Sequence, residues 1–303
     1  MLDAVGVIIM ANELYTLTRQ FSKDIVPVLR ETPSGMGLMP LNTDYRGMGK
    51  SAVRVVQYGT RAGAKIGFEI MKTAGDGIDI TGFDTKIAVI QDDMDIPRTA
   101  WEAYVENGIP ISSDVALEMA GNVQKAVDDL IYQGFVFNGT NYDIKGLFQV
   151  AGTATTGAVT STYGNGLKSV NTAIADLESA GIYSPSWIFA MNPANYSELM
   201  SQIQYGASEM EYVQKALGPA GRVVKNSRVT ADYGLVFPAP LDVNRKFFDI
   251  VETVPPAFDL YFKDNSKTSD IGVRLVTRLG LRWKHQSSSG TGTDVAVSKV
   301  SGL

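Results

Sequence analysis

The sequence of 303 residues contains no cysteine and a single histidine. Without cysteine, the chain has no disulfide, no thiolate metal ligand and no thiol nucleophile. A Ser-His-Asp triad or a histidine-rich zinc site would depend on His285 alone. That residue follows Trp283 and Lys284 and precedes a Ser/Gly-rich stretch. We therefore predict a surface histidine at the end of a strand, not a catalytic one.

Long hydrophobic runs are missing as well. The apolar stretch at residues 4–10 is far shorter than the ~20 residues of a membrane-spanning helix, and no basic residue precedes it. We expect neither a membrane partner nor a secretory signal. An apolar fraction of 45% and a charged fraction of 19% are typical of a globular protein. The net charge of −5 disfavours tight, sequence-specific nucleic-acid binding.

Motifs for nucleotide binding and for catalysis are incomplete. The triplet Gly49-Lys50-Ser51 resembles the end of a phosphate-binding loop, but Asp44 stands where that loop needs its first glycine. The triplet also precedes a predicted strand, so no helix dipole would hold a phosphate. No nucleophile elbow and no strand–GxGxxG–helix pattern occurs. We predict no enzyme and no cofactor; an α/β enzyme with an unrecognised site is the remote alternative.

An acidic cluster is formed by Asp92, Asp93 and Asp95. A calcium-binding loop would continue with a further ligand, a glycine and a distal glutamate, whereas the chain continues Ile96-Pro97. We interpret the cluster as a solvated or partner-facing edge and predict no metal site.

The clearest predicted element is a helix over residues 113–134, in which apolar residues recur every four positions from Val115 to Ile131. Gly134 ends it. Three further helices are predicted, at 167–179, 193–200 and 209–217. A possible short helix lies at 11–19. Predicted strands, by composition and turn signals, lie at 51–58, 64–71, 87–90, 187–191, 221–224, 234–237, 247–254, 257–262, 271–283 and 295–297.

Charge is distributed unevenly along the chain. Residues 46–72 contain one acid, Glu69, and six basic residues: Arg46, Lys50, Arg54, Arg61, Lys65 and Lys72. Residues 76–129 contain twelve acids, including the cluster at 92–95, and three basic residues. Such a pattern permits head-to-tail pairing of identical subunits, with a basic hairpin on an acidic neighbour. We predict these six basic residues and the three clustered aspartates as inter-subunit contacts.

One stretch carries a family resemblance. Residues 87–108, IAVIQDDMDIPRTAWEAYVENG, are followed by the long helix and then by Asn138-Gly139-Thr140 and Lys145-Gly146-Leu147. This series resembles the strand, spine helix and "G…GL" segment of encapsulin-type coats. The order of parts resembles the capsid fold first seen in phage Hong Kong 97, which tailed-virus coat proteins and encapsulin nanocompartments share.

The resemblance implies an α+β fold in four parts. Residues 1–45 would be an N-terminal arm and 46–85 an extended β-hairpin loop that overlaps a neighbouring subunit. Residues 86–150 and 240–303 would form a peripheral domain with the spine helix. Residues 151–239 would form an axial α/β domain whose loops meet around fivefold and sixfold axes.

The resemblance also implies a function. We expect a major capsid protein that assembles into pentamers and hexamers of an icosahedral shell around viral double-stranded DNA, held non-specifically. Scaffolding, portal or decoration proteins would be its other partners, and the virion capsid, assembled in the host cytoplasm, its location. The alternative is an encapsulin shell that holds cargo enzymes. Encapsulins begin with a cargo-docking helix, whereas prolines and glycines interrupt this N-terminus, which favours the virus.

Overall fold

A computed structural model describes residues 35–47, 51–58, 80–100, 102, 113–137, 143–151, 155–156, 163–204, 206–262, 271–284 and 297–301. The predicted helix at 11–19, the predicted strand at 64–71 and His285 lie outside the described residues. Helices and strands are mixed along the chain, which confirms the predicted α+β class. No described helix is both long enough and apolar enough to cross a membrane.

The strands and helices have the following bounds. The strands are β1 Leu41–Asn42, β2 Ala52–Tyr58, β3 Ile80–Lys86, β4 Ala88–Ile96, β5 Thr155–Thr156, β6 Trp187–Met191, β7 Ile203–Gln204, β8 Ala207–Ser208, β9 Arg222–Lys225, β10 Tyr233–Pro238, β11 Phe248–Phe262, β12 Ile271–Trp283 and β13 Ser298–Ser301. The helices are α1 Ser113–Gln133, α2 Leu147–Val150, α3 Asn165–Ser179, α4 Pro193–Ser201 and α5 Glu209–Ala216.

The chain divides into two compact units. The first comprises Met1–Ser51, Ile87–Ile131 and Ile250–Gly280, and the second comprises Ala52–Lys86, Tyr132–Asp249 and Leu281–Leu303. The four-part division predicted above stays a prediction.

The first unit contains a sheet of order β1-β11-β12-β4 and most of helix α1. Strand β4 is antiparallel to β12, with Ile96 opposite Ile271 and Ala88 opposite Leu279. Its side chains alternate between half-buried and exposed, as expected for a strand with one face toward a core. Helix α1 buries its apolar stripe, including Met119, Val123 and Val127, so the predicted periodicity is confirmed.

The second unit contains a sheet of order β5-β13-β10-β6-β9. All five residues of β6 are buried, and the strand lies inside the sheet between β10 and β9. Helix α4 begins after Asn192, whose side chain accepts a hydrogen bond from the Ala194 N–H, and Pro193 occupies the first turn. This unit also contains the hairpin of β2 and β3. The two strands are antiparallel, with Ala52 opposite Lys86 at one end and Tyr58 opposite Ile80 at the other.

Two strand predictions need correction. The sequence predicts no strand at residues 80–86, yet β3 lies there and pairs with β2. The separate strands predicted at 247–254 and 257–262 belong to one strand, because β11 runs through Pro255 and Pro256. Within the described residues, β1 pairs only with Ile250 and Val251 of β11. Because successive N–H groups point to opposite sides of a strand, at least one of the two prolines removes no ladder bond.

Helix α1 ends in a close approach of two glycines. Gly134 has a φ of +72°, the left-handed conformation that glycine adopts without strain. A Cβ on Gly146 would lie 2.4 Å from the Gly134 nitrogen and 2.8 Å from the Tyr132 carbonyl oxygen. The backbone of 143–146 therefore packs directly on the end of the helix, where no larger residue fits.

Gly146→Ala should lower the free energy of unfolding by about 1–3 kcal/mol, because the added methyl group overpacks this contact. Gly121→Ala in α1 is the matched control, because a Cβ there meets nothing within 4 Å. It should be neutral or stabilise by up to about 1 kcal/mol, since alanine favours a helix. Urea unfolding of both variants checks this, and equal stabilities would contradict the proposed packing.

Candidate inter-subunit surface

The predicted basic segment is only partly within the described residues. Arg46 and Arg54 are described, whereas Lys50, Arg61, Lys65 and Lys72 lie outside. Arg54 stands opposite Asp84 in the register of β2 and β3. At the base of the hairpin, the Ile87 N–H donates to the Ser51 carbonyl oxygen over 2.8 Å.

Arg46 has a partner within its own unit. Its Nε donates to Glu252 Oε2 over 2.7 Å, and its Nη2 donates to the same oxygen. The Glu252 side chain is 0% exposed and that of Arg46 is 38% exposed. A buried carboxylate needs such a cation, because its own desolvation is unfavourable. Arg46 therefore stabilises its own subunit by pairing with Glu252.

The three clustered aspartates lie on β4. Asp93 and Asp95 are exposed, and Asp92 is half-buried. Asn122 of α1 donates to Asp92 Oδ2 over 3.1 Å, and Arg274 Nε of the adjacent strand β12 donates to Asp93 Oδ1 over 2.5 Å. This hydrogen bond raises the pKa of Arg274. The acidic edge predicted from the sequence is thus present on one strand, but Arg274 neutralises part of it.

Two carboxylates of this edge are engaged by neighbouring side chains, Asp92 by Asn122 and Asp93 by Arg274. Within the described part of the chain, no three histidine, aspartate or glutamate side chains are grouped so as to hold an ion.

An ion pair at the end of β3 was not predicted. Lys86 Nζ donates to Asp143 Oδ1, while Asp143 Oδ2 accepts the Phe137 N–H over 2.8 Å. The Lys86 hydrogen bond, followed by the Phe137 one, lowers the pKa of Asp143. The pair joins the hairpin to Asp143 across 57 positions of sequence, a separation that no local pattern reveals.

Apolar side chains also lie on the surface of the second unit. Phe135, Val136 and Phe137 are exposed directly after α1. A second group, Met200, Ile203 and Tyr212, is exposed on α4, β7 and α5. Sequence reasoning missed both groups, although three consecutive apolar residues after a helix-ending glycine were a usable signal. Exposed apolar groups of this kind mark interaction surfaces.

The comparison with known families now decides the class of protein. The sequence profile described as "Encapsulating protein for peroxidase" matches residues 83–242. This range includes strand β4, helix α1 and the strands and helices from β5 to β10. The chain belongs to this family. No curated protein matches the sequence.

Solved structures agree with the family. The capsid of Myoviridae phage XM1 has a TM-score of 0.61 at 13% identity, with 88% of this chain and 90% of that chain covered. A virus-like particle from Pyrococcus furiosus has a TM-score of 0.58 at 13% identity, with 93% and 96% covered. The capsid of an empty GTA particle has a TM-score of 0.58 at 12% identity, with 88% and 90% covered.

These similarities confirm the resemblance predicted from the sequence. The chain has the capsid fold of the Hong Kong 97 type, related to the encapsulins, and is a shell-forming structural protein.

Arg46→Gln should lower the free energy of unfolding of the dissociated subunit by about 2–3 kcal/mol, because it leaves Glu252 buried without its cation. The effect is at the lower end for a broken buried pair, since Arg46 is partly exposed. Urea unfolding measures it.

Two further variants separate this role from ordinary surface charge. Adding Glu252→Gln to Arg46→Gln should recover part of the loss. Arg98→Gln breaks an exposed pair with Glu102 and should cost at most about 0.5 kcal/mol. An Arg46 variant as stable as the Arg98 variant would contradict the structural role.

Proposed function

We propose that this chain is the major capsid protein of a tailed virus and that its pentamers and hexamers form an icosahedral shell around double-stranded DNA. The observation that carries the proposal is similarity in fold over 88% of the chain to the capsid of a Myoviridae phage, of which 90% is covered. The proline- and glycine-interrupted N-terminus also differs from the cargo-docking helix of encapsulins.

Nothing in this role requires turnover. Packaged DNA is condensed with its own counterions, so an acidic subunit with a net charge of −5 is compatible with enclosing it. Scaffolding, portal and decoration proteins are the further partners of such a shell, and the virion capsid, assembled in the host cytoplasm, is its location.

A shell that holds cargo enzymes is the second candidate. The family description, an encapsulating protein for peroxidase, favours it directly. Both candidates need the same assembled shell and differ in what lies inside.

Contents of native particles separate the two. Particles purified from the source should contain nuclease-protected DNA of defined length together with tail or portal proteins, detected by gel electrophoresis and mass spectrometry. Empty particles made from the pure chain are the control for adventitious nucleic acid. Peroxidase or another enzyme in place of protected DNA would overturn the viral proposal and establish the second candidate.

For the contact between copies, we place the basic hairpin of one subunit on the acidic strand of the next. Arg46 is used within its own subunit, so Lys50, Arg54, Arg61, Lys65 and Lys72 would supply the charge. They would meet Asp92, Asp93 and Asp95 of the neighbour. Exposed ion pairs contribute about 0–1 kcal/mol each, so this contact sets orientation and register more than affinity.

Neutralising Arg54, Arg61 and Lys65 together to glutamine should raise the protein concentration needed for assembly several-fold and leave the subunit folded. It should also weaken the dependence of assembly on salt, because screening acts on the charges removed. Light scattering against salt concentration measures both effects.

The matched control changes Lys125, Lys168 and Lys215 to glutamine. These lysines are exposed on α1, α3 and α5, away from the hairpin in sequence. Their loss gives the same change in net charge and should leave assembly nearly unaltered. Equal effects of the two triple variants would mean that overall charge, not the hairpin, controls assembly.

A further inference from the structure

A short apolar segment after the long helix is turned toward solvent. Phe135 is 45% exposed, Val136 37% and Phe137 66%. The two phenylalanine rings are stacked with centroids 6.4 Å apart. Aromatic residues are enriched at the centres of protein interfaces, where each buries roughly 150–250 Å². Exposed consecutively on a single subunit, these three side chains keep part of their apolar surface in unfavourable contact with water.

The backbone beneath this segment is held firmly. The Phe135 N–H donates to the Ile144 carbonyl oxygen over 2.8 Å, and the Phe135 carbonyl oxygen accepts the Asp143 and Ile144 N–H groups at 2.9 and 3.1 Å. The close contact between Gly134 and Gly146 lies next to this bridge between Phe135 and Ile144. A segment fixed in this way loses little conformational entropy on binding, which favours a preformed docking site over a loose loop.

The charges beside the segment cancel each other. The Phe137 N–H donates to Asp143, and Asp143 is paired with Lys86 at the end of the hairpin strand β3. The apolar residues are therefore bordered by a neutral ion pair, an arrangement of apolar centre and polar rim that protein interfaces share. Nucleic acid is a poor occupant of this border, because the cation of the ion pair, Lys86, is already neutralised by Asp143.

We propose that Phe135, Val136 and Phe137 form an anchor that packs against a second copy of this chain in the assembled shell. A second copy is the occupant that fits, because the chain belongs to a shell-forming family and the ion pair ties the anchor to the hairpin. The inference rests on the shell of the proposed function and deepens it: the anchor supplies affinity where the charged hairpin supplies orientation.

Substitution tests the affinity. Phe137→Ser should raise the concentration needed for assembly about thirtyfold, as the loss of an aromatic anchor does in other interfaces. Tyr183→Ser is the matched control, because Tyr183 is 65% exposed in the same unit, outside the anchor. Both variants should keep the unfolding midpoint of the dissociated subunit. Equal effects on assembly would overturn the anchor.

Thiol footprinting tests the location independently of affinity. The chain has no cysteine, so Phe137→Cys and Tyr183→Cys each introduce a unique thiol whose reaction rate reports its exposure. Each variant is co-assembled with excess unsubstituted chain into empty particles, without DNA or cargo. Maleimide should label Cys at position 137 at least several-fold more slowly in particles than in dissociated subunits, while labelling at position 183 changes less.

The outcomes separate the two levels of the proposal. Particles that form normally but leave the thiol at position 137 as reactive as in free subunits would refute the anchor and leave the shell intact. If protection occurs only in particles filled with DNA or enzyme, the contents cover the segment and the second-copy assignment is wrong. A chain that forms no particles at all would refute the shell on which the inference rests.

Discussion

Two carboxylates, Asp249 and Glu252, are fully buried on the fifteen-residue strand β11, and each depends on cations from elsewhere in the chain. Asp249 is bound by Arg282 and Lys284 at the end of β12, and Glu252 by Arg46. Burial of an unpaired carboxylate would cost several kcal/mol. The segments that carry Arg46, Arg282 and Lys284 are therefore held against β11 by these ion pairs. Because Arg46 is paired with Glu252, its charge is less available for contacts between subunits.

What remains on the surface divides into two kinds of contact. Aspartates on β4 provide a field that is weak in water, screened by salt and partly cancelled by Arg274. Apolar side chains after α1 would contribute through desolvation, which ionic screening does not weaken. A shell needs both, because its subunits must find one orientation among many and must also hold it. The family match and the capsid-like fold are consistent with a subunit that carries both charged and apolar surface groups.

Local sequence was sufficient where a periodic pattern and a turn signal coincide. Residues 187–191 were predicted as a strand and form β6, and the stripe from Val115 to Ile131 predicted helix α1. Strand β3 was missed, because its composition is Thr-, Gly- and Asp-rich and only pairing with β2 fixes it. The site was harder to predict, since the partner of Arg46 lies 206 residues away and that of Lys86 lies 57 away. Charge sign can be read along a chain, whereas the partner of each charge is set by the folded topology.

Electron microscopy of the purified protein tests most directly whether this chain builds a shell from copies of itself. Samples would be taken across protein and salt concentrations, beside size-exclusion chromatography of the same material. Closed particles of uniform diameter, with a subunit density that fits the capsid-type fold, are the predicted result. A compact monomer under every condition, with intact secondary structure by circular dichroism, would contradict the account.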